Sequence, residues 1–186
     1  MTVPPPSLDW RLPGDPDPAE QVRRMVRVDH AGEYGARRIY AGQLAVLGKS
    51  PSGPAIRHMA AQEERHLTHF SRLVAERRVR PTALLPLWHV AGYALGAATA
   101  LLGARAAMAC TVAVEEAIDE HYRGQAAALG DREPELKAAI EEFRAEELEH
   151  RDTALAAGAE AAPAYPLLAA LIKAGSRLAI HIAERV

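Results

Sequence analysis

Two Glu-x-x-His motifs occur in the chain, and a lone glutamate lies about thirty residues before each of them. The six residues are Glu33, Glu63 and His66 in the first half, and Glu115, Glu147 and His150 in the second. Positions i and i+3 of an α-helix share one face, so each motif directs a carboxylate and an imidazole to the same side. A glutamate from each of two helices and a Glu-x-x-His from each of two others is the ligand set of dinuclear carboxylate centres in four-helix bundles. The pattern therefore predicts an all-α bundle built around two metal ions.

The charge of this ligand set suits two divalent cations. Four carboxylates carry four negative charges, and without metal they would repel one another in a bundle core until some took up protons. Carboxylate and imidazole ligands suit iron and manganese, and no thiolate belongs to the set. The ligand types alone leave the choice between iron and manganese open, and with manganese they would also suit a catalase.

The two halves of the chain resemble each other at an offset of 82 residues. The segment YAGQLAVLG at 40–48 recurs as YRGQAAALG at 122–130. Tyr40 and Tyr122 each follow a lone glutamate by seven residues, which is close to two helical turns, so each tyrosine shares a face with its glutamate. We therefore predict two duplicated helical hairpins. Helix packing and the orientation of a ligand carboxylate both remain open as roles for the tyrosines.

Hydrophobic periodicity, with glycine and proline as end signals, predicts six helices. They are expected at about 20–47, 53–78, 84–104, 105–129, 131–157 and 163–185. Residues 1–19 contain six prolines and several aspartates, a composition that predicts an extended or disordered arm. Residues 20–186 are expected to form one domain that is long enough to bury a core.

The overall composition narrows the functional classes. The net charge of −2 provides no electrostatic attraction to nucleic acid. Cys110 is the only cysteine, so no intramolecular disulfide can form and a reducing compartment is expected. We do not expect the N-terminal residues to be a secretory signal.

Residues 81–104 contain no Asp, Glu, Lys or Arg, which makes this segment long enough to be considered as a transmembrane helix. However, the segment lies between the two groups of ligands, and a single crossing would leave them on opposite sides of the membrane. We therefore expect the helix at 84–104 to be a buried crossover between the hairpins, or to lie in the membrane surface.

The last helix, at 163–185, favours the membrane surface. Its basic residues recur every four positions beside apolar ones, and they are Lys173, Arg177, His181 and Arg185. This is the pattern of an interfacial amphipathic helix, although a terminal helix packed on the bundle would also fit it. Taken together, the two segments predict peripheral attachment to a lipid bilayer and a substrate drawn from the lipid.

Several segments resemble the demethoxyubiquinone hydroxylases of ubiquinone biosynthesis. They include VRVDHAGEYGA at 26–36, RIYAGQ at 38–43, AMACTVAVEE at 107–116 and EELEH at 146–150. The similarity extends from about residue 22 to the C-terminus. It implies a ferritin-like di-iron monooxygenase that hydroxylates the ring of a polyprenyl 3-demethoxyubiquinol with O2, a late step of ubiquinone biosynthesis, with NADH as the electron source.

The resemblance implies the same six ligands that the spacing selects, with Glu63 and Glu147 as the bridging carboxylates. Three neighbouring glutamates are competitors, and helical spacing or repeat alignment excludes them: Glu64, Glu116 and Glu146. His121 and His30 are further candidates close to the site. For both histidines, a packing role is the alternative.

The resemblance also implies a location and partners. It implies a peripheral membrane protein at the cytoplasmic face of a bacterial inner membrane, or at the matrix side of the mitochondrial inner membrane in a eukaryote. A homo-oligomer and a protein that delivers the quinone remain open.

Two other functions remain open at this point. A ferroxidase or another iron-handling protein of ferritin-like fold would share all six ligands. A non-catalytic quinone-binding partner would share the apolar segments.

Overall fold

The structure is a computed structural model that describes residues 17–186, so residues 1–16 of the predicted arm lie outside the described residues. Six α-helices follow one another: α1 Pro18–Leu47, α2 Gly53–Glu76, α3 Leu85–Leu101, α4 Ala104–Leu129, α5 Pro134–Ala156 and α6 Tyr165–Ala183. A 3-10 turn, Ala159–Ala161, precedes α6. Within residues 17–186 there is no β-strand, and the prediction of an all-α fold is confirmed.

Two of the helix boundaries have clear local causes. The first helix begins at Pro18, two residues earlier than predicted, because the Asp17 side chain accepts a hydrogen bond of 2.7 Å from the Glu20 N–H. Proline suits the first helical turn, where its missing N–H has no helical partner to lose. The third helix reverses into the fourth at Gly103, whose φ of +110° lies where side chains are rarely tolerated.

Four helices form the bundle and two lie outside it. The pairs α1 with α2 and α4 with α5 are hairpins, and contacts of α1 with α4 and of α2 with α5 join them. Both α3 and α6 pack against α1 and α4. Under the 82-residue repeat, α3 and α6 are equivalent, so the duplicated unit extends from a hairpin to three helices.

The packing of α3 on α1 depends on glycine. A Cβ atom on Gly96 would collide with the backbone carbonyl of Ile39, and one on Gly42 would collide with that of Tyr93. The two backbones are therefore in direct contact. Only Gly96, Thr99 and Ala100 of α3 are buried, and several of its large apolar side chains, such as Val90 and Leu101, are exposed.

The outward faces of α3 and α6 are apolar and exposed. Val90 of α3 is 65% exposed and Leu171 of α6 is 64% exposed. Of the described helices, only α6 is long and apolar enough to cross a membrane, which by itself is weak evidence for a span. The helix at 84–104 was expected to be a buried crossover or to lie in the membrane surface; α3 joins the hairpins as a crossover but leaves one face exposed rather than buried.

Two of the four basic residues of the α6 stripe face α4, whereas His181 and Arg185 are exposed. Lys173 Nζ lies 2.5 Å from Glu116 Oε2, and Arg177 forms an ion pair of 2.7 Å with Glu120. These two residues therefore attach α6 to the bundle, as the alternative interpretation of this helix required. Exposed ion pairs of this kind contribute no more than about 1 kcal/mol each.

We expect Gly96→Ala to lower the free energy of unfolding of the metal-free protein by about 1–3 kcal/mol, because its Cβ cannot fit beside Ile39 without moving a backbone. The matched control is Gly124→Ala in α4, where a Cβ meets no atom within 4 Å. That change should raise stability by roughly 0.5–1 kcal/mol through helix propensity. Urea denaturation followed by circular dichroism measures both, and equal stabilities would contradict the packing described here.

Candidate metal centre

The six residues selected by their spacing meet in the middle of the four-helix bundle. Glu33 comes from α1 and Glu115 from α4, while the two Glu-x-x-His motifs come from α2 and α5. All six side chains are buried, with at most 1% of their surface exposed. The bundle thus removes four carboxyl groups and two imidazoles from water at a single place.

These side chains form two clusters that share two members. One cluster consists of Glu33, Glu63, His66 and Glu147, and the other of Glu63, Glu115, Glu147 and His150. Within each cluster the possible ligand atoms lie within 4.8 Å of one another. Glu147 places one oxygen 3.2 Å from His66 Nδ1 and the other 3.0 Å from His150 Nδ1. The geometry is that of two cation positions with Glu63 and Glu147 between them.

Many atoms facing these positions lack a hydrogen-bond partner within residues 17–186. They are Glu33 Oε2, both oxygens of Glu63, Glu115 Oε2, Glu147 Oε2 and His150 Nδ1. Burying such atoms without a partner costs several kcal/mol, which natural proteins avoid unless another group satisfies them. Two divalent cations would satisfy all of them, and the oxygen and imidazole donors are those that iron and manganese accept. The donor set therefore fits a dinuclear metal centre.

Electrostatic interactions distribute protons over the metal-free cluster. Burial raises the pKa of Glu63, and burial together with the charge of Glu147 raises the pKa of Glu115 to about 8. Burial alone would also raise the pKa of Glu147, but contacts with His150 and His66 outweigh it and bring the pKa to about 2. Likewise, burial lowers the pKa of His66, yet Glu147 and Glu33 raise it to about 11. Metal binding has to displace these protons.

Each of the two tyrosines contacts the lone glutamate of the other half. Tyr40 on α1 donates a hydrogen bond of 2.7 Å to Glu115 Oε1, and Tyr122 on α4 donates one to Glu33 Oε1. Burial and then the nearby carboxylates raise the pKa of both hydroxyls, so both remain donors. The sequence left packing and orientation open for these residues. The structure gives both of them a hydrogen bond that orients a carboxylate, directed across the bundle.

Neither of the two additional histidines belongs to a cluster. His121 Nε2 lies 2.8 Å from Gln125 Nε2 and 3.3 Å from Asp29 Oδ1. His30 is buried, its Nδ1 has no hydrogen-bond partner among the described residues, and burial lowers its pKa. Asp29 is also buried, and burial raises its pKa to about 6. Asp29, His121 and Gln125 thus form a polar group one turn before Glu33.

The neighbouring glutamates divide into two kinds. Glu64 and Glu116 point outward and pair with Arg37 and Lys173. Glu146, in contrast, lies behind a ligand: its Oε2 is 2.8 Å from His66 Nε2. Sequence reasoning excluded Glu146 as a ligand and missed this contact. The sequence did contain one signal for this contact. Glu146 stands directly before the second Glu-x-x-His motif, and Gln62 stands at the same place before the first.

An apolar channel with a volume of about 440 Å³ lies between α1, α3, α4 and α6. Gly32 and Gly35 on α1 line it on either side of Glu33, and Val114 and Ile118 on α4 do the same for Glu115. Trp88 of α3 also contributes to the wall. The channel therefore runs along the outside of the bundle at the level of the two lone glutamates, and none of the six clustered residues lines it. Sequence reasoning missed it, because four separate helices form its walls.

Comparison with known proteins places the chain in a family. The family model described as Ubiquinone biosynthesis protein COQ7 matches residues 20–183. The chain belongs to this family. It is 64% identical over 177 residues to 3-demethoxyubiquinol 3-hydroxylase of Rhodospirillum rubrum, covering 95% of this chain and 84% of that protein.

Eukaryotic members of the COQ7 family are also similar to this chain. The NADPH-dependent 3-demethoxyubiquinone 3-hydroxylase, mitochondrial, of Mus musculus is 58% identical over 168 residues, which cover 88% of this chain and 77% of that protein. The 5-demethoxyubiquinone hydroxylase, mitochondrial, of Saccharomyces cerevisiae is 43% identical over 180 residues, with coverages of 88% and 77%. The resemblance noted in the sequence is thus confirmed. The mouse protein is named for NADPH, whereas the resemblance implied NADH.

We expect the metal-free protein to lose stability as the pH rises from about 5 to 8. The pKa of Glu115 rises from 4.5 in the unfolded chain to about 8 in the fold, so the folded state holds a proton that the unfolded state has released. The contribution of this group is complete below pH 4.5 and disappears as the pH rises through 8. The raised pKa of His66 acts in the same direction. Thermal unfolding at several pH values measures the effect.

Two controls separate this effect from the titration of other groups. Glu115→Gln removes the ionisable group and should flatten the dependence of the unfolding temperature on pH. Two equivalents of Mn(II) should raise the unfolding temperature more above pH 8 than below it, because above the pKa of about 8 most molecules no longer carry a proton on Glu115 that the metal must displace. An unchanged slope in Glu115→Gln would show that Glu115 does not carry the proton.

Proposed function

We propose that this chain is a di-iron monooxygenase that hydroxylates the ring of a polyprenyl 3-demethoxyubiquinol. The observation that carries the proposal is the buried set of six ligands with unsatisfied atoms around two positions, in a chain of the COQ7 family. Its relative in Rhodospirillum rubrum is named for this reaction. Bound iron would supply the activation of O2 and the electrons passed to it.

In this proposal, the side chains of the site hold the iron ions and orient one another. Glu33 and His66 would hold one iron ion and Glu115 and His150 the other, while Glu63 and Glu147, which belong to both clusters, would be shared between them. The hydroxyls of Tyr40 and Tyr122 fix the two lone glutamates through the hydrogen bonds described above. Because all six ligands are buried, water is kept away from the reacting atoms.

The apolar channel is the proposed binding site for the quinol. A volume of about 440 Å³ is within the range of small-molecule sites, and its walls are mostly aliphatic. Gly32 and Gly35 lie beside Glu33, and a Cβ on either would meet no atom within 4 Å. The absence of side chains leaves space for a planar ring against the backbone of α1 at the level of Glu33. The polyprenyl tail would then follow the channel between α3 and α6.

The exposed apolar faces of α3 and α6 support attachment to a lipid surface. Both helices border the channel, and contiguous apolar areas on a protein surface usually have a partner. A lipid surface at these faces gives a substrate dissolved in the bilayer direct access to the channel. In a bacterium this surface is the cytoplasmic face of the inner membrane, and in a mitochondrion it is the matrix face of the inner membrane. A second copy of the chain or a quinone-delivery protein would compete for the same faces.

Three other functions predict different results. A ferroxidase would oxidise iron and leave the quinol unchanged, a manganese catalase would disproportionate peroxide, and a quinone-binding partner would bind quinol without turnover. The apolar channel between α1, α3, α4 and α6 favours the hydroxylase, because iron storage does not require an apolar binding site of this size.

A single-turnover experiment with isotope labelling tests the hydroxylase. The metal-free protein receives two equivalents of Fe(II) without oxygen, then a short-tailed demethoxyquinone and either NADH or NADPH, and finally ¹⁸O₂. We expect the quinone to gain one ¹⁸O atom, detected by mass spectrometry. Glu147→Ala removes a bridging ligand and should abolish the gain, whereas Glu149→Ala, an exposed change on the same helix, should retain it. Iron oxidation with unchanged quinone would favour the ferroxidase.

Sedimentation with lipid vesicles tests the proposed attachment. Leu171→Glu places a charge on the exposed apolar face of α6, and we expect it to weaken binding to vesicles at least tenfold, since burying an unpaired carboxylate among lipid chains is costly. The matched control is Ala145→Glu, which adds the same charge at an exposed position of α5. Equal binding of the two variants would contradict the proposed orientation.

A further inference from the structure

The two histidine ligands differ in what their outer nitrogen atoms contact. Glu146 and Gln62 occupy the same place in the two repeats, directly before the glutamate of each Glu-x-x-His motif. Each contacts the histidine of the other motif. Glu146 Oε2 lies 2.8 Å from His66 Nε2, and Gln62 Oε1 lies 3.0 Å from His150 Nε2. One histidine thus faces a carboxylate and the other faces a neutral amide.

The carboxylate of Glu146 is held firmly in this position. Arg65 donates two hydrogen bonds to it, of 2.9 and 3.1 Å, and Gln62 Nε2 donates a third of 3.3 Å. Glu146 is half-buried, whereas Arg65 is largely exposed. The repeat equivalent of Arg65 is Glu149, so no equivalent arginine supports the other half.

In a second pair of equivalent residues, again only one member contacts a carboxyl group. Gln43 and Gln125 are separated by the 82-residue offset. Gln43 Nε2 donates to the carbonyl of Ala107 at 3.1 Å and to the Thr111 hydroxyl at 3.4 Å. Gln125 Nε2 instead donates to the buried carboxyl of Asp29 at 2.8 Å. Asp29 lies one turn before Glu33, so this acidic group is also on the side of Glu33 and His66.

From this difference we infer that the two metal positions are unequal, and that the position formed by Glu33 and His66 binds a divalent cation first and more tightly. A carboxylate that accepts the outer N–H of a metal-bound histidine fixes the ring and makes it a stronger ligand than an amide does. Glu146 is therefore a positioning residue for that metal. The inference rests on the proposed metal centre and adds to it an order of filling.

The test measures where the first metal ion binds and does not depend on activity. Metal-free protein receives one equivalent of Mn(II) and is crystallised, and anomalous scattering gives the occupancy of each position. We expect the position at His66 to hold most of the Mn(II). In Glu146→Gln its affinity should fall by about 10–100-fold, the usual loss when such a partner of a metal ligand is changed. The two occupancies should then be close to equal.

A double variant distinguishes a changed preference from general damage to the metal site. Gln62→Glu combined with Glu146→Gln moves the carboxylate behind His150, so the preferred position should change to the one formed by Glu115 and His150. Glu149→Gln, an exposed change on the same helix, should leave the wild-type preference intact. If Glu146→Gln does not fold, Gln62→Glu alone carries the test, because two carboxylates should make the positions similar.

The outcomes separate this inference from the proposed function. Equal occupancy in the wild-type protein, or a preference that Glu146→Gln leaves unchanged, would overturn the inequality while leaving a dinuclear centre in place. If Mn(II) binds at neither position, the metal centre itself is wrong and the inference fails with it.

Discussion

Four glutamates face one another in the middle of this bundle, and their mutual repulsion is the constraint on which the rest of the structure depends. Like charges at such distances, away from water, cannot all be ionised without compensation. In the metal-free chain the compensation comes from protons on the glutamates and from positively charged imidazoles, as the raised pKa of His66 indicates. Two cations would replace these protons and satisfy the unpaired carboxylate oxygens together. The same core residues therefore destabilise the metal-free fold and stabilise the loaded one.

The repeat explains how a single chain brings two similar sets of ligands to one place. Each half supplies one lone glutamate and one Glu-x-x-His, and each half also supplies the tyrosine that orients the glutamate of the other. Glu33 and Glu115 are consequently fixed only when both hairpins are assembled. Affinity for metal would thereby be coupled to the folding of the whole bundle rather than to that of either hairpin.

The clustering of the six Glu and His residues and the helices could be predicted from the sequence because both depend on local spacing. A period of 3.6 residues places Glu63 and His66 on one face, whatever the helix packs against. The direction of the Tyr40 hydrogen bond could not be predicted, since the tyrosine shares a face with Glu33 yet donates across the bundle to Glu115. The contact of Glu146 with His66 was missed for the same reason. Periodicity along one helix contains no information on which residues of another helix lie opposite.

The packing of the two apolar helices, α3 and α6, could not be predicted from periodicity either. This packing places the channel next to the exposed surface of the protein. On α3, glycine and other small residues face inward, so the backbone of Gly96 rests on that of Ile39 and several large side chains remain exposed. On α6, only Ile172 and Ala183 are buried, and other apolar side chains pack half-buried beside them. The ion pairs of this helix with α4 add at most about 1 kcal/mol each. The channel is therefore bounded on one side by a helix in direct backbone contact with α1, and on the other by a helix that is attached through its side chains.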